Sequence, residues 1–331
     1  MAESILGRHL KSAVSSEAHK GLAESVLPTL IDSISNIAKA LRKSQHVSRA
    51  GSANAFGDDQ LNVDVLAENS IRDAISRCPF VVTASSEEDP VERSAQKSQE
   101  APTSDVPEEH YTVAFDPLDG SSIIAPNWTV GTIIGVWQGK TALGQQPAST
   151  QVAAVLGVYG PRTTAMVALR VPGSDPVCLE LGIGENGWDD TEIIRSVVRL
   201  AEPPFKTRYF APANLRAAAD DEKYMGLVSH FIQNKYTLRY SGGLVPDVVH
   251  ALVKGHGIYI SPVTAASKAK LRRLYELYPL ALIVECAGGK AISPADGTNI
   301  LDRPLEDLNE TAGLVCGTAD EVEFVKRALL G

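Results

Sequence analysis

Apolar residues recur at intervals of three and four from Leu27 through Leu30, Ile31, Ile34, Ile37 and Ala38 to Leu41. That spacing predicts an amphipathic helix over roughly 21–43. Leu61, Val65, Ile71 and Ile75 predict a second helix over about 59–76. The period then shortens. Residues 80–84, 111–115, 130–137, 151–159 and 163–171 are short β-branched or aromatic runs bounded by Gly, Pro and Ser, and they predict strands. Between the first two lies 90–110, with three prolines, many charges, and only Val91 and Val106 as aliphatics larger than alanine. Such a segment buries too little apolar surface to offset the ordering of its backbone, so it predicts a mobile loop. It joins two acidic motifs, as a flap beside a site or as a passive insertion.

From about residue 200 the pattern alternates. Residues 220–236 and 244–254 predict helices, and 257–261 predicts a strand. A buried helix over 279–287 ends at Gly288-Gly289, a short strand covers 313–317, and a closing helix covers 321–330. Helices and many strands followed by an alternating region predict an α/β chain of two layered subdomains, with a boundary near Glu202-Pro203-Pro204.

Charge narrows the chemistry. With 31 Lys and Arg against 40 Asp and Glu, the net charge of −9 repels polyphosphate, which argues against nucleic-acid or anionic-membrane partners. The apolar stretch around 280–284 is too short to span a bilayer, and the N-terminal basic residues lack an apolar segment after them. Four scattered cysteines without a CxxC pair fit isolated thiols in a reducing compartment, so a cytoplasmic location is expected. Any phosphate handled here needs metal ions or a few placed cations.

Acidic residues cluster at Asp58 with Asp64, at Glu87-Glu88-Asp89, in Asp116-Pro117-Leu118-Asp119-Gly120-Ser121-Ser122, and at Glu276. The second and third follow predicted strands directly, where layered α/β folds bind ligands. Like charges ~4 Å apart at an effective dielectric of ~20 cost about 4 kcal/mol per pair. Hard divalent cations, magnesium above all, relieve that cost and share their shells with substrate phosphate. Pro117 stiffens the turn, and Gly120, Ser121 and Ser122 offer N–H groups to a phosphate if they open a helix. Metals beside an anion site point to metal-assisted phosphoryl transfer to water.

These residues carry a resemblance. Residues 116–122 match the signature of the magnesium-dependent, lithium-sensitive phosphatases, and Ser86-Glu87-Glu88-Asp89 matches their upstream acidic pair. The chain resembles the fructose-1,6-bisphosphatase family, and within it the sedoheptulose-1,7-bisphosphatase branch. The similarity lies in FGDDQ (56–60), QVAAVLGVYGPRTT (151–164), FAPANLRA (210–217), TLRYSGGLVPDV (237–248) and AKLRRLYE (269–276). The resemblance implies a layered α/β/α/β/α sandwich. It implies metal ligation by Glu87, Glu88, Asp116, Asp119, Glu276 and the Leu118 carbonyl, with two or more Mg²⁺, or Mn²⁺, per site. Asp64 and Glu88 would activate water, and Asp58 would sit on a catalytic loop. Asn214, Arg239, Tyr240 and Lys270 would hold the sugar and distal phosphate, with Arg239 reaching across the interface of a homodimer or homotetramer. Residues 1–200 would then carry the metal carboxylates and 201–331 the distal site. The implied reaction removes the C1 phosphate of a sugar bisphosphate, with the seven-carbon substrate favoured over fructose 1,6-bisphosphate.

Three departures stand out. Residues 46–55 (HVSRAGSANA) lack the cysteine pair of plastid sedoheptulose bisphosphatases, so thioredoxin-type control is not expected. His110-Tyr111 replaces the Lys-Tyr element of AMP-regulated relatives. An ungapped alignment puts Ile260 where fructose bisphosphatases carry a tyrosine, which favours the longer sugar. Elsewhere, 135–141 is one residue short of a P-loop, and Gly182, Gly184 and Gly187 read as a hairpin turn. Two rival readings are an inositol or nucleotide monophosphatase of the same superfamily and a catalytically dead, ligand-binding regulator.

Overall fold

A computed structural model of the chain describes residues 5–14, 16–53, 59–96, 109–264 and 268–331. Its frame is an eight-stranded sheet. In spatial order the strands are Thr191–Arg195, Val177–Ile183, Thr163–Leu169, Gln151–Tyr159, Val130–Gln138, Tyr111–Asp119, Val81–Ser86 and Arg93–Ser94. Neighbours are antiparallel except for the parallel pair 81–86 and 111–119. The central strands are near-continuous apolar runs because both faces are covered. Val113, Phe115, Ile134, Val136, Val155 and Val167 face one core, while Ala114, Ile133, Trp137, Ala154 and Met166 face another.

Helices Leu27–Lys43 and Asn62–Ile75 pack on the first face. Helices Leu244–Lys254 and Tyr278–Cys286 cover the second and separate it from a five-stranded sheet. That sheet runs Thr237–Leu238, Tyr209–Pro212, Ile258–Ser261, Leu314–Gly317 and Lys290–Ile292. Helices Glu222–Gln233 and Ala319–Leu330 close its far side around Phe210, Phe231, Ile260 and Val315. Helix, sheet, helix, sheet, helix: the five expected layers are present.

Differences from the sequence reading are local. Residues 59–61 form a strand (Asp59–Leu61) that pairs with Arg49–Ala53, so the second helix starts later, at Asn62. The expected loop 90–110 contains the short strand Arg93–Ser94, which joins the sheet edge, and its middle lies outside the described residues. The helix expected over 21–43 begins with a π-helical turn, Leu22–Val26, and the one expected over 279–287 is preceded by another, Arg273–Leu277. The near-miss glycine motifs are strand ends and turns: Gly135 and Gly182 lie within strands, while Gly139 and Gly187 have positive φ.

Candidate active site

The site is built where the strand Tyr111–Asp119 runs out. Asp116 pairs with Ile133 and Asp119 with Gly131, so three steps on one strand answer two on its partner. Regular pleating would send positions i and i+3 to opposite faces; the irregularity re-aims one of them. Thr132 Oγ1 fixes the displaced turn by donating to the Pro117 carbonyl at 2.7 Å. The Leu118 N–H donates to Asp116 Oδ1 at 3.0 Å.

Glu276 joins from a segment 157 residues beyond Asp119, on the π-helical turn Arg273–Leu277. It accepts the Arg272 N–H. Among the described residues, Asp116, Asp119 and Glu276 bring carboxylate oxygens within 4.8 Å of one another, and all three are buried. Glu87 completes the group. Its N–H donates to the Phe115 carbonyl at 3.0 Å, and the Arg272 Nε lies 3.6 Å from its Oε1.

Electrostatics follow from this crowding. Burial first, then the charges of Glu87, Glu276 and Asp119, push the Asp116 carboxyl well above the usual range. Glu276 is pushed up by burial and then chiefly by Glu87. Burial raises Asp119 to about 6, against the N–H groups of Leu244 and Val245, which donate to its two oxygens at 3.1 and 2.7 Å. Buried carboxylates that repel one another are poorly stable as a bare group and well suited to hard divalent cations. The donor set, all oxygen, fits magnesium or manganese.

The other expected residues fall around this group. Asp64 is buried and raised by that burial, accepting the Leu61 N–H at 2.8 Å and the Ser121 hydroxyl at 3.2 Å. Ser121 also donates to the Leu118 carbonyl at 3.2 Å. Glu88 is half-buried and accepts from the Gln60 amide. Gly120, at φ 99°, starts the four-residue helix Ser121–Ile124, so the expected helix opening is a single turn, with Ser122 exposed on it. Tyr240 lies beside Asn214, whose backbone bonds its phenol. Arg239 is exposed, its guanidinium over the Tyr209 ring at 5.7 Å. Arg239 and Tyr240 line a cavity of about 880 Å³ with Trp128, Tyr159 and His250, and the carboxylate trio is not part of its lining. Lys270 is exposed, just ahead of the short strand Leu271–Arg272. Asp58 lies outside the described residues.

The sequence reading missed Arg272 and Asp247. Arg272 stands four positions before Glu276, a spacing that its LRRLYE context displays. Ile260 is buried and away from the site, but Tyr259 faces the other way, its phenol raised by burial and then by Tyr240 and Asp247.

Comparison with known proteins gives the family. The family model for the fructose-1-6-bisphosphatase N-terminal domain matches residues 2–188, and that for the C-terminal domain matches 204–330. The chloroplastic sedoheptulose-1,7-bisphosphatase of Spinacia oleracea is 38% identical over 84% of this chain and 67% of its own length. A class 1 fructose-1,6-bisphosphatase of Syntrophotalea carbinolica is 33% identical over 84% of this chain and 80% of its own. A Toxoplasma gondii structure, provisionally assigned as a sedoheptulose-1,7 bisphosphatase, superposes with a TM-score of 0.84 at 34% identity, covering 99% of each chain. Holo fructose-1,6-bisphosphatase of Leishmania major shares the fold, at a TM-score of 0.81, 24% identity and 99% of each chain. With both domain models matched in order and the acidic group assembled, the chain belongs to the fructose-1,6-bisphosphatase family of sugar-bisphosphate phosphatases.

Proposed function

We propose that this chain hydrolyses the C1 phosphate of sedoheptulose 1,7-bisphosphate, giving sedoheptulose 7-phosphate, in a magnesium-dependent reaction. The observation that carries the reading is the convergence of Asp116, Asp119 and Glu276 from two distant chain segments onto one buried point, with the half-buried Glu87 raising Asp116 and Glu276 by its charge. Relatives named as sedoheptulose bisphosphatases reach 38% and 39% identity, and those named as fructose bisphosphatases 33%, which supports the seven-carbon substrate.

Glu87, Glu88, Asp116, Asp119, Glu276 and the Leu118 carbonyl would hold the Mg²⁺ ions. Bound magnesium supplies charge neutralisation and Lewis acidity at the scissile phosphate. Asp64 and Glu88 would orient water and take its proton, and the burial that raises the Asp64 carboxyl supports a role as base. The distal phosphate is assigned to Asn214, Arg239, Tyr240 and Lys270, and binding there positions the reacting end. Arg239 faces a cavity apart from the carboxylates of its own chain, which suits a role in a neighbouring subunit of a homodimer or homotetramer. Among the described residues no helix is long and apolar enough to cross a membrane, and all four cysteines are buried free thiols. A cytoplasmic site of action is part of this proposal.

The test is phosphate release from the six- and seven-carbon bisphosphates, measured side by side in magnesium buffer. A higher kcat/KM for the seven-carbon substrate supports the assignment. A preference for fructose 1,6-bisphosphate would reassign the substrate within the family.

A further inference from the structure

The segment that carries Arg239 and Tyr240 has little regular structure of its own. It links the two-residue strand Thr237–Leu238 to the helix Leu244–Lys254, through Gly242 at φ 101°. Two carboxylates hold it. On one side Asp119, a member of the carboxylate group, takes the N–H groups of Leu244 and Val245. On the other, Asp247 takes the Ser241 N–H at 2.6 Å on Oδ1 and the Gly242 N–H at 3.2 Å on Oδ2. Pro246, which follows Val245 directly, has no N–H to offer.

Asp247 is only 6% exposed, yet it lines the same cavity as Arg239 and Tyr240. A buried carboxylate close to side chains assigned to a phosphate is costly twice over, by its own desolvation and by repulsion of the ligand. Its two backbone bonds give it a compensating role, because they fix the loop immediately after the two ligand-facing side chains. Resting on the sugar-bisphosphatase reading, we infer that Asp247 is a positioning residue: it sets the 239–243 loop so that Arg239 and Tyr240 meet the distal phosphate, without touching substrate itself. A displacement of about 1 Å in such a contact is enough for up to ~100-fold in rate or affinity.

The test compares two ligands that differ in which phosphate they carry. Asp247→Asn keeps one acceptor oxygen and turns an N–H donor toward the second backbone N–H. Expected is a rise of about tenfold or more in KM for the bisphosphate and in Ki for its distal monophosphate product. Inhibition by inorganic phosphate, which reports the reacting end, should shift by less than about threefold, and kcat likewise. Equal losses in kcat and KM with an unchanged product Ki would mark Asp247 as merely structural and overturn the inference; so would no change at all. If Asp247→Asn fails to fold, Ser241→Ala takes its place. The Ser241 hydroxyl also bonds Asp247. Its removal should raise product Ki about threefold with the same kcat, and an unmoved Ki would again refute the role. Wild-type protein inactive on every sugar bisphosphate would fail the functional reading, and this inference with it. Active wild type with an unselective Asp247→Asn defect would fail the inference alone.

Discussion

Asp116 and Asp119 bring oxygens within 4.8 Å of each other although they stand three residues apart on one strand, because the strand slips register against 130–138 between them. The slip turns two acidic side chains of a wholly buried strand toward one point. It also makes the site unstable as a bare group, and several expectations follow from that instability.

Replacing one member of the group should relieve repulsion. Glu276→Gln removes a buried charge that faces Glu87 and Asp119 while keeping the acceptor oxygen for the Arg272 N–H. The metal-free variant is expected to melt at least about 3 °C above metal-free wild type, to gain little from added magnesium, and to lose at least about 100-fold in phosphate release. Differential scanning calorimetry in EDTA checks the first point. A lower melting temperature would contradict it.

The same group fixes the sign of the pH dependence. Asp119 is raised to about 6 by burial, and Asp116 and Glu276 lie well above their ordinary values. A carboxyl raised in the folded state binds more protons there than in the unfolded chain, so its contribution is fully present below the unfolded value and lost as pH rises through the folded one. For Asp119 alone the loss is about 3 kcal/mol between pH ~4 and pH ~7. Metal-free protein should therefore melt higher at pH 5.5 than at pH 7.5, and saturating magnesium should shrink the difference. An unchanged or reversed order in EDTA would count against the repulsion described here.

Helix Leu244–Lys254 approaches the sheet at Gly131, where an added Cβ would sit 2.4 Å from the Val245 Cβ. Backbone cannot yield there without lifting the residues that bond Asp119. Gly131→Ala should cost about 1–3 kcal/mol of stability and reduce magnesium affinity as well. Urea unfolding together with magnesium titration checks both effects; a stable variant with normal affinity would show that the close approach is dispensable.

Away from the site, the Glu109 carboxylate takes the Gly21 and Leu22 N–H groups, both at 2.9 Å, where the 22–43 helical segment begins. Tyr111 donates its hydroxyl to the same carboxylate at 2.5 Å. Glu109→Ala should destabilise by roughly 1–3 kcal/mol through the orphaned donors, with kcat per folded molecule retained. Chemical denaturation with parallel assays separates the two readouts.

Much of this was legible in the residues. The strand 151–159 and the helix 244–254 stand where periodicity puts them, because their cores are local patterns of one residue type. The Asp116–Ser122 stretch also announced itself, since its chemistry is contiguous. Arg272 and Asp247 did not, because their partners Glu87 and Ser241 matter only once π-helical and loop geometry bring them close. The π-helical turn under Glu276 was equally hidden: a 3.6-residue apolar pattern does not reveal one widened turn. Asp59–Leu61 looked helical because Leu61 keeps the apolar spacing, yet cross-strand pairing with Arg49–Ala53 prevails there. Ser121 was read only for its N–H group; that its hydroxyl reaches the Asp64 carboxylate and the Leu118 carbonyl was not legible in the residues.

The base assignment has its own probe. Glu88→Gln should fold normally and lose turnover, because an amide cannot accept the proton of water. Full activity in that variant would move the role to Asp64.

Whether the buried acidic group works through metal is tested by phosphate release from sedoheptulose 1,7-bisphosphate by wild type and Asp116→Asn, each titrated with magnesium from an EDTA-treated stock. Expected are no release without magnesium, saturable activation of the wild type, and no recovery of Asp116→Asn at any concentration. Metal-independent release, or full activity of Asp116→Asn, would contradict that role.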